Sequence, residues 1–252
     1  MAKLSIVIIT FNEEKNIRRC LDSVRAIADE IVIVDSNSTD KTAEIAAEFN
    51  AKFIVQPFLG YIEQKNFALS KSSNDFVLSL DADEALDETL KSNIQKAMVN
   101  PSADAFMMSR MTHYCGQWIR HGAWYPDKKI RLFKKSVAQW GGINPHEKIE
   151  VNANAKIGSL NGDILHYTYY SITEHIQQAD NFTRILAEDL FKQGKKTNLI
   201  RIIVKPKFRF IRDFILKAGF LDGYYGYIIA RISAHAVFLK EIRLKEHWDK
   251  NG

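Results

Sequence analysis

The chain has 252 residues, 46% hydrophobic and 26% charged, with a formal net charge of +5. That composition belongs to a folded globular protein and excludes a disordered or fibrous chain. Two distant cysteines, Cys20 and Cys115, exclude a disulfide framework or a cysteine metal site, and no apolar run reaches the length of a spanning helix.

The first hundred residues alternate strand and helix. Residues 4–9 read as a strand. Asn12 is placed to cap the helix that follows, with Glu13 and Glu14 at its positive end. Ile17, Cys20, Leu21, Val24 and Ile27 then recur at helical spacing. Residues 31–34 form a second strand, closed by the polar turn Asp35-Ser36-Asn37-Ser38-Thr39-Asp40, and an Ala-rich helix runs on to residue 49. Residues 52–55 are a third strand, 61–70 a helix and 76–80 a fourth strand. This β-α-β-α-β-α-β order demands right-handed crossovers and a parallel sheet. The polar turns after strands one, two and four then share one sheet edge, where open α/β sheets bind ligands.

Downstream the pattern changes. A helix over 88–99 ends at Asn100-Pro101, and 105–111 and 129–133 read as strands around an aromatic stretch from Tyr114 to Pro126. Residues 140–147 (Trp-Gly-Gly-Ile-Asn-Pro-His-Glu) read as a loop, 162–167 as a strand and 171–193 as a long helix ended by Gly194. From Arg201 onward there are eleven Lys/Arg against five Asp/Glu, and 205–217 reads as a basic amphipathic helix. Such a helix suits an anionic membrane surface, or packs its apolar face on the domain.

Asp81-Ala82-Asp83 closes the fourth strand. Two carboxylates at a ligand-binding edge make a strongly negative mouth, which a hard divalent cation bridging to phosphate would hold together. The same acids, with Glu84, Asp87 and Glu88, also suit the capped start of the next helix.

Read together, Thr10-Phe11-Asn12-Glu13-Glu14, the Asp35 turn, Gln64-Lys65-Asn66 and Asp81-Ala82-Asp83 resemble the inverting family-2 glycosyltransferases with the GT-A fold. Tyr125-Pro126-Asp127, Arg131-Leu132-Phe133, Trp140-Gly141-Gly142 with His146-Glu147, and Gly219-Phe220-Leu221-Asp222-Gly223 resemble the bacterial lipopolysaccharide-core enzymes that add β-glucose to inner-core heptose. The fold so implied is α/β: a Rossmann-like, mixed, mainly parallel sheet with flanking helices over residues 1–195. A basic amphipathic helical extension occupies 196–252.

The resemblance implies roles. Phe11, with Thr10, Asn12 and Glu13, matches the segment whose aromatic stacks on the nucleotide base. Asp35 and Ser36 lie in the turn for base and ribose; many family members carry a second Asp where this chain has Ser36. Lys65 matches a basic residue near the base or diphosphate, and Asp81 with Ala82 the ribose side. Asp83 matches the ligand of Mg2+ or Mn2+. His166 matches a histidine that some GT-A enzymes add to the metal, or is a core histidine.

Breaking an anomeric carbon–oxygen bond to a diphosphate builds negative charge that a cation offsets, and the attacking hydroxyl needs a base on the opposite face. Glu147 is the candidate base and Asp127 the second. Trp140, His146 and Arg131 are candidates for the acceptor, although Arg131 also suits a structural ion pair and His146 a structural role.

The implied partners are a UDP-sugar donor, a lipid-A-linked or other lipid-linked saccharide and an anionic membrane surface, at the cytoplasmic face of the inner membrane. No nucleic-acid motif is present. Capsule or O-antigen assembly is the neighbouring alternative, and a non-catalytic lipid- or nucleic-acid-binding protein the alternative from another class.

Overall fold

The computed structural model describes residues 1–143 and 146–251, excluding the side chains of Ile143 and His146. It divides into two compact units, 1–111 with 127–167, and 112–126 with 168–252. The proposed division at 195/196 separates a basic extension by composition, whereas these units follow packing.

In the first unit β1 (Leu4–Thr10), β2 (Glu30–Asp35), β3 (Lys52–Val55) and β4 (Phe76–Asp81) lie parallel in the order β3-β2-β1-β4. Parallel strands are buried on both faces, which is why they read as unbroken apolar runs. One face packs Leu4, Ile6, Ile8, Leu78 and Leu80 against helices α1 (Ile17–Val24), α2 (Thr42–Ala47) and α4 (Glu88–Val99). The other packs Val7, Val32, Val34 and Val77 against Ala68 and Leu69 of α3 (Tyr61–Lys71) and against Trp140.

Beyond β4 the sheet turns antiparallel. β8 (Asp127–Lys134) pairs with β4, and β6 (Ala105–Tyr114) with β8. β11 (Ile157–Tyr169) follows, then β5 (Glu84–Leu86), antiparallel to β11. A parallel half joined to an antiparallel half agrees with the expected mixed GT-A sheet.

Three local expectations change. Asn12 does not cap α1; Asn16 stands at the N-cap position without a side-chain capping bond, and Asn12 adopts φ 54°. An Asn tolerates that left-handed turn, and its short amide is used elsewhere. Residues 84–86 form β5, too short for a periodic signal. The expected loop 140–147 is largely a hairpin of β9 (Ala138–Ile143) and β10 (His146–Val151); paired glycines masked the strand. Of the acids suited to cap the next helix, Asp87 does so, its Oδ1 accepting from Leu90 N at 2.6 Å. Asp81 and Asp83 are left for other work.

The second unit is mainly helical: α5 (Ile172–Lys192), α6 (Leu199–Phe210) and α7 (Gly223–Asn251), with short β7 (Gln117–Ile119) paired to the end of β6. α5 begins with the Ser171/Glu174 capping box. The expected helix 205–217 is α6 continued by a π-helical turn, Ile211–Leu216. Here the Arg209 and Arg212 guanidiniums both reach the buried Asp213 carboxylate. Tyr114 is the centre of this unit's aromatic core, in edge contact with Trp124, Tyr169, His175 and Tyr225. The Tyr114 hydroxyl lies 3.0 Å from His175 Nδ1. Asp222, in the Gly219–Asp222 turn, accepts from the backbone N–H groups of Arg120 and His121. The sequence segment 219–223 therefore acts as a clamp.

Candidate active site

The turns after β1 and β2 are stapled together. Asn12 N donates to Ser38 Oγ at 2.8 Å, and Asn12 Oδ1 accepts from Thr39 N at 2.8 Å. Glu13 N donates to Thr42 Oγ1 at 2.9 Å. Asp35, buried, spends both oxygens on Ser38, through its N–H and its hydroxyl. Ser36 N donates to Thr10 O, and Ser36 Oγ accepts from Gln64 Nε2 at 3.0 Å. Thr10 Oγ1 and Gln64 Oε1 are buried without a partner among the described residues, and Phe11 stands 58% exposed. An exposed ring beside unpaired buried polar atoms suits a flat heterocycle with hydrogen-bonding edges.

At the end of β4, Asp81 meets two buried cations. Lys65 Nζ is 2.9 Å from Asp81 Oδ1, and Arg131 Nη2 is 3.2 Å from its Oδ2. Burial opposes ionisation of Asp81, but Lys65 and Arg131, with Arg110 beyond, hold its carboxyl well below the usual carboxylate range. Glu84, with no exposed side-chain surface, accepts from Arg131 at 3.1 Å, Arg110 at 3.3 Å and the Asp81 backbone N–H at 3.0 Å. Asp127 is bound by Arg110 at 2.8 Å and Lys129 at 3.1 Å.

Asp83 faces a histidine. His166 Nε2 lies 3.1 Å from Asp83 Oδ2, because β11 runs alongside β5 in a register that sets His166 opposite Glu84. Glu13 is close by: burial first, then the charges of Asp83, Asp40 and Asp81, raise its carboxyl above the ordinary range against the pull of an Asn16 hydrogen bond. Among the described residues no group of three or more His, Cys, Asp or Glu is gathered as a metal cage. One carboxylate and one imidazole in contact nevertheless fit a dication such as Mg2+ or Mn2+ that takes its remaining ligands from water and a diphosphate.

The β9–β10 hairpin brings the other wall. Trp140 is pinned through its backbone by Asn66, whose amide donates to Trp140 O at 2.9 Å and accepts from Trp140 N at 3.0 Å. Its ring carries Lys65 Nζ at 4.2 Å and the Arg131 guanidinium at 5.0 Å. Glu147 Oε1 binds Lys65 Nζ at 2.9 Å. Glu147 Oε2, Trp140 Nε1, and Nε and Nη1 of Arg131 are buried without partners among the described residues. Asp81, Arg131, Trp140 and Glu147 line one cavity of about 460 Å3.

Of the sequence candidates, the structure thus gathers Lys65, Asp81, Arg131, Trp140 and Glu147 at one place, Asp83 with His166 at a second, and Thr10, Phe11, Asn12, Asp35 and Ser36 in the stapled turns. Ala82 is buried between the two aspartates. Asp127 is spent on cations, and the side chain of His146 lies outside the described residues. Glu84, Arg110 and Gln64 escaped the sequence reading. Glu84 was visible only as one acid in a capping turn, and Arg110 as one polar residue in a strand. Gln64 stands in the Gln64-Lys65-Asn66 motif, where its residue type alone announces no role.

Residues 5–154 match the model of glycosyl transferase family 2. An uncharacterized glycosyltransferase of Rickettsia typhi is 36% identical over 256 residues, covering 98% of this chain and 88% of the relative. The lipopolysaccharide core biosynthesis glycosyltransferase LpsC of Rhizobium meliloti is 28% identical over 254 residues, covering 96% and 91%. Among solved structures, the mannosyltransferase PcManGT from Pyrobaculum calidifontis in complex with GDP-Man and Mn2+ is similar at a TM-score of 0.55 and 13% identity, covering 99% of this chain and 88% of that one. That likeness shows the fold. The chain belongs to glycosyl transferase family 2, as a nucleotide-sugar-dependent hexosyltransferase on the GT-A fold.

Proposed function

We propose that the enzyme moves a glucosyl residue from UDP-glucose, with inversion, to a hydroxyl of a lipid-linked saccharide of the lipopolysaccharide inner-core kind. The whole-length similarity to LpsC supports the acceptor class. The observation that carries the chemistry is the Glu147 carboxylate. Its Oε1 is fixed by Lys65, and its Oε2 is a buried acceptor at a cavity, without a partner among the described residues. That free oxygen takes the proton of the acceptor hydroxyl as the hydroxyl oxygen bonds to the anomeric carbon and the diphosphate departs. Asp127, whose two oxygens are held by Arg110 and Lys129, is the weaker candidate.

The nucleoside lies at the stapled turns, with Phe11 stacking on the base and Thr10, Gln64 and Ser36 offering polar contacts. Asp83 and His166 would hold Mg2+ or Mn2+. When bound, the dication supplies positive charge beside the leaving diphosphate. The decisive measurement is transfer from a panel of UDP-sugars to inner-core, capsule and O-antigen acceptors, with and without Mn2+. Transfer from UDP-glucose to inner-core acceptor supports the reading, and preference for another pair replaces it.

We also place the enzyme at an anionic membrane at its cytoplasmic face. Between residues 199 and 227, Leu199, Ile200, Phe208, Leu216, Leu221 and Tyr224 are each more than half exposed. Exposed Lys207 and Lys217 lie among them, with no ion-pair partner among the described residues. Clustered apolar side chains with free cations are what an interfacial surface of anionic lipid accepts. Among the described residues no helix is long and apolar enough to cross a membrane.

A further inference from the structure

The cavity at Glu147 carries more positive charge than the donor reaction explains. Besides Arg131 and Arg110, its lining includes Lys128, Lys129 and Lys148, against only two carboxylates, Asp81 and Glu147. Both carboxylates are already bridged by Lys65, and Asp81 also by Arg131. The remaining cations are less engaged. Lys129 shares Asp127 with Arg110, Lys148 stands 3.9 Å from Glu150, and Lys128 makes no ion pair among the described residues. Deeper in, Arg131 is 4% exposed yet has two nitrogens without a hydrogen-bond acceptor among the described residues, and the Trp140 indole N–H has none there either. Buried donors in folded proteins are nearly always satisfied, so a set of orphans at one cavity marks a place a ligand completes. Its size, about 460 Å3, suits a sugar unit.

We infer that this cavity is an acceptor subsite built for an anionic sugar, one bearing a phosphate or carboxylate near the hydroxyl that is glycosylated. The inference rests on Glu147 being the base: the proton acceptor must face the acceptor, so the cavity it lines holds the acceptor. The donor's diphosphate is the other source of negative charge. A dication held by Asp83 and His166 would draw it away from this cavity, which neither residue lines; Asp81, at the cavity's edge, is where the donor side begins. Trp140 and Arg131 then donate to the bound sugar and its anion, and Lys128 and Lys129 supply charge at the rim. A charge-assisted pair contributes about twice a neutral hydrogen bond, and at an exposed rim the two lysines together add roughly tenfold to affinity for the anion.

The test is calorimetric titration of the protein loaded with UDP and Mn2+, using glucose 6-phosphate, glucuronate, inorganic phosphate and glucose as probes. The expected result is that the anionic sugars bind at least about tenfold tighter than glucose. Lys128→Gln with Lys129→Gln should remove that preference while leaving UDP affinity and the circular dichroism spectrum unchanged. Equal binding of glucose and its phosphate, or no binding of either anionic sugar, overturns the subsite. So does anion binding that vanishes once UDP and Mn2+ are present, since the cations then serve the diphosphate. Failure of UDP itself to bind is read separately; it removes the donor assignment, and the acceptor assignment with it.

Discussion

The Lys65 ammonium lies 2.9 Å from Glu147 Oε1, joining residues 82 positions apart in the chain. Lys65 is 3% exposed and reaches Asp81 at the same distance. One buried cation thus ties the end of β4 to the β9–β10 hairpin and leaves Glu147 one oxygen without a partner among the described residues. Glu147→Gln keeps the shape and the Lys65 contact but removes the proton acceptor. We expect kcat to fall by about 10^2 to 10^4, with UDP affinity nearly unchanged. Full turnover in a folded Glu147→Gln protein would remove the base assignment.

Lys65→Met addresses the other partner. It leaves Asp81 and Glu147 without their shared counterion in a buried setting. Loss of one member of a buried pair costs about 3–5 kcal/mol, read as a lower urea midpoint. An unchanged midpoint would mean that the pair contributes nothing to the fold.

Asp83→Asn tests the cation. Its carboxylate becomes an amide while the His166 contact persists. Mn2+ affinity, measured by paramagnetic relaxation in the presence of UDP, is expected to fall at least about tenfold, and EDTA to abolish turnover of the native enzyme. Turnover indifferent to EDTA would dismiss a dication at this position.

Glu84→Gln is expected to act on stability before activity. This carboxylate joins Arg131, Arg110 and the Asp81 N–H with no surface exposed. Neutralising it leaves two guanidiniums underpaired, at a cost of about 3 kcal/mol in urea unfolding.

Acid sensitivity is expected to come in part from His175. Burial holds its imidazole down at about 4, from an ordinary 6.5. The folded state keeps it neutral, paired with the Tyr114 hydroxyl, so the unfolded chain protonates first as pH falls. The associated stability is complete above pH 6.5 and is lost as pH drops toward 4, on the order of 3 kcal/mol in all. His175→Gln should flatten the unfolding free energy across that window, and a profile unchanged from wild type would dismiss the linkage.

Vesicle flotation checks the membrane surface. Binding is expected to phosphatidylcholine mixed with phosphatidylglycerol and not to phosphatidylcholine alone. Lys207→Glu and Lys217→Glu should each weaken it by about 1 kcal/mol or more at low salt, and Leu216→Asp should weaken it at any salt. Equal binding to neutral vesicles would reject the electrostatic half of the reading. Concentration-dependent dimerisation that Leu216→Asp abolishes would assign the surface to a second copy.

The parallel half of the sheet was legible because strands buried on both faces leave unbroken apolar runs, as in Ile6–Val7–Ile8 and Phe76–Val77–Leu78. The carboxylates after β4 were legible because strand ends are where such groups face ligand. What stayed hidden depends on pairing across long separations. Arg110 and Arg131 reach Glu84 only once β6, β8 and β5 are in register, and a lone arginine in a strand announces none of this. The hairpin of β9 and β10 was read as a loop because Gly141 and Gly142 carry no strand signal. Asn12 misled because the amide that suits a helix cap was bound across the gap to Thr39 instead.

That crosslink between Asn12 and the Ser38-Thr39 segment has a thermodynamic corollary. The groups involved are short side chains and backbone amides, with few rotors left to freeze, so the floor beneath Phe11 is assembled before any nucleotide arrives. Docking of the base should then carry a small entropic penalty. An Asn12→Ala chain would have to organise that floor afresh at each encounter, trading a lock for a hinge.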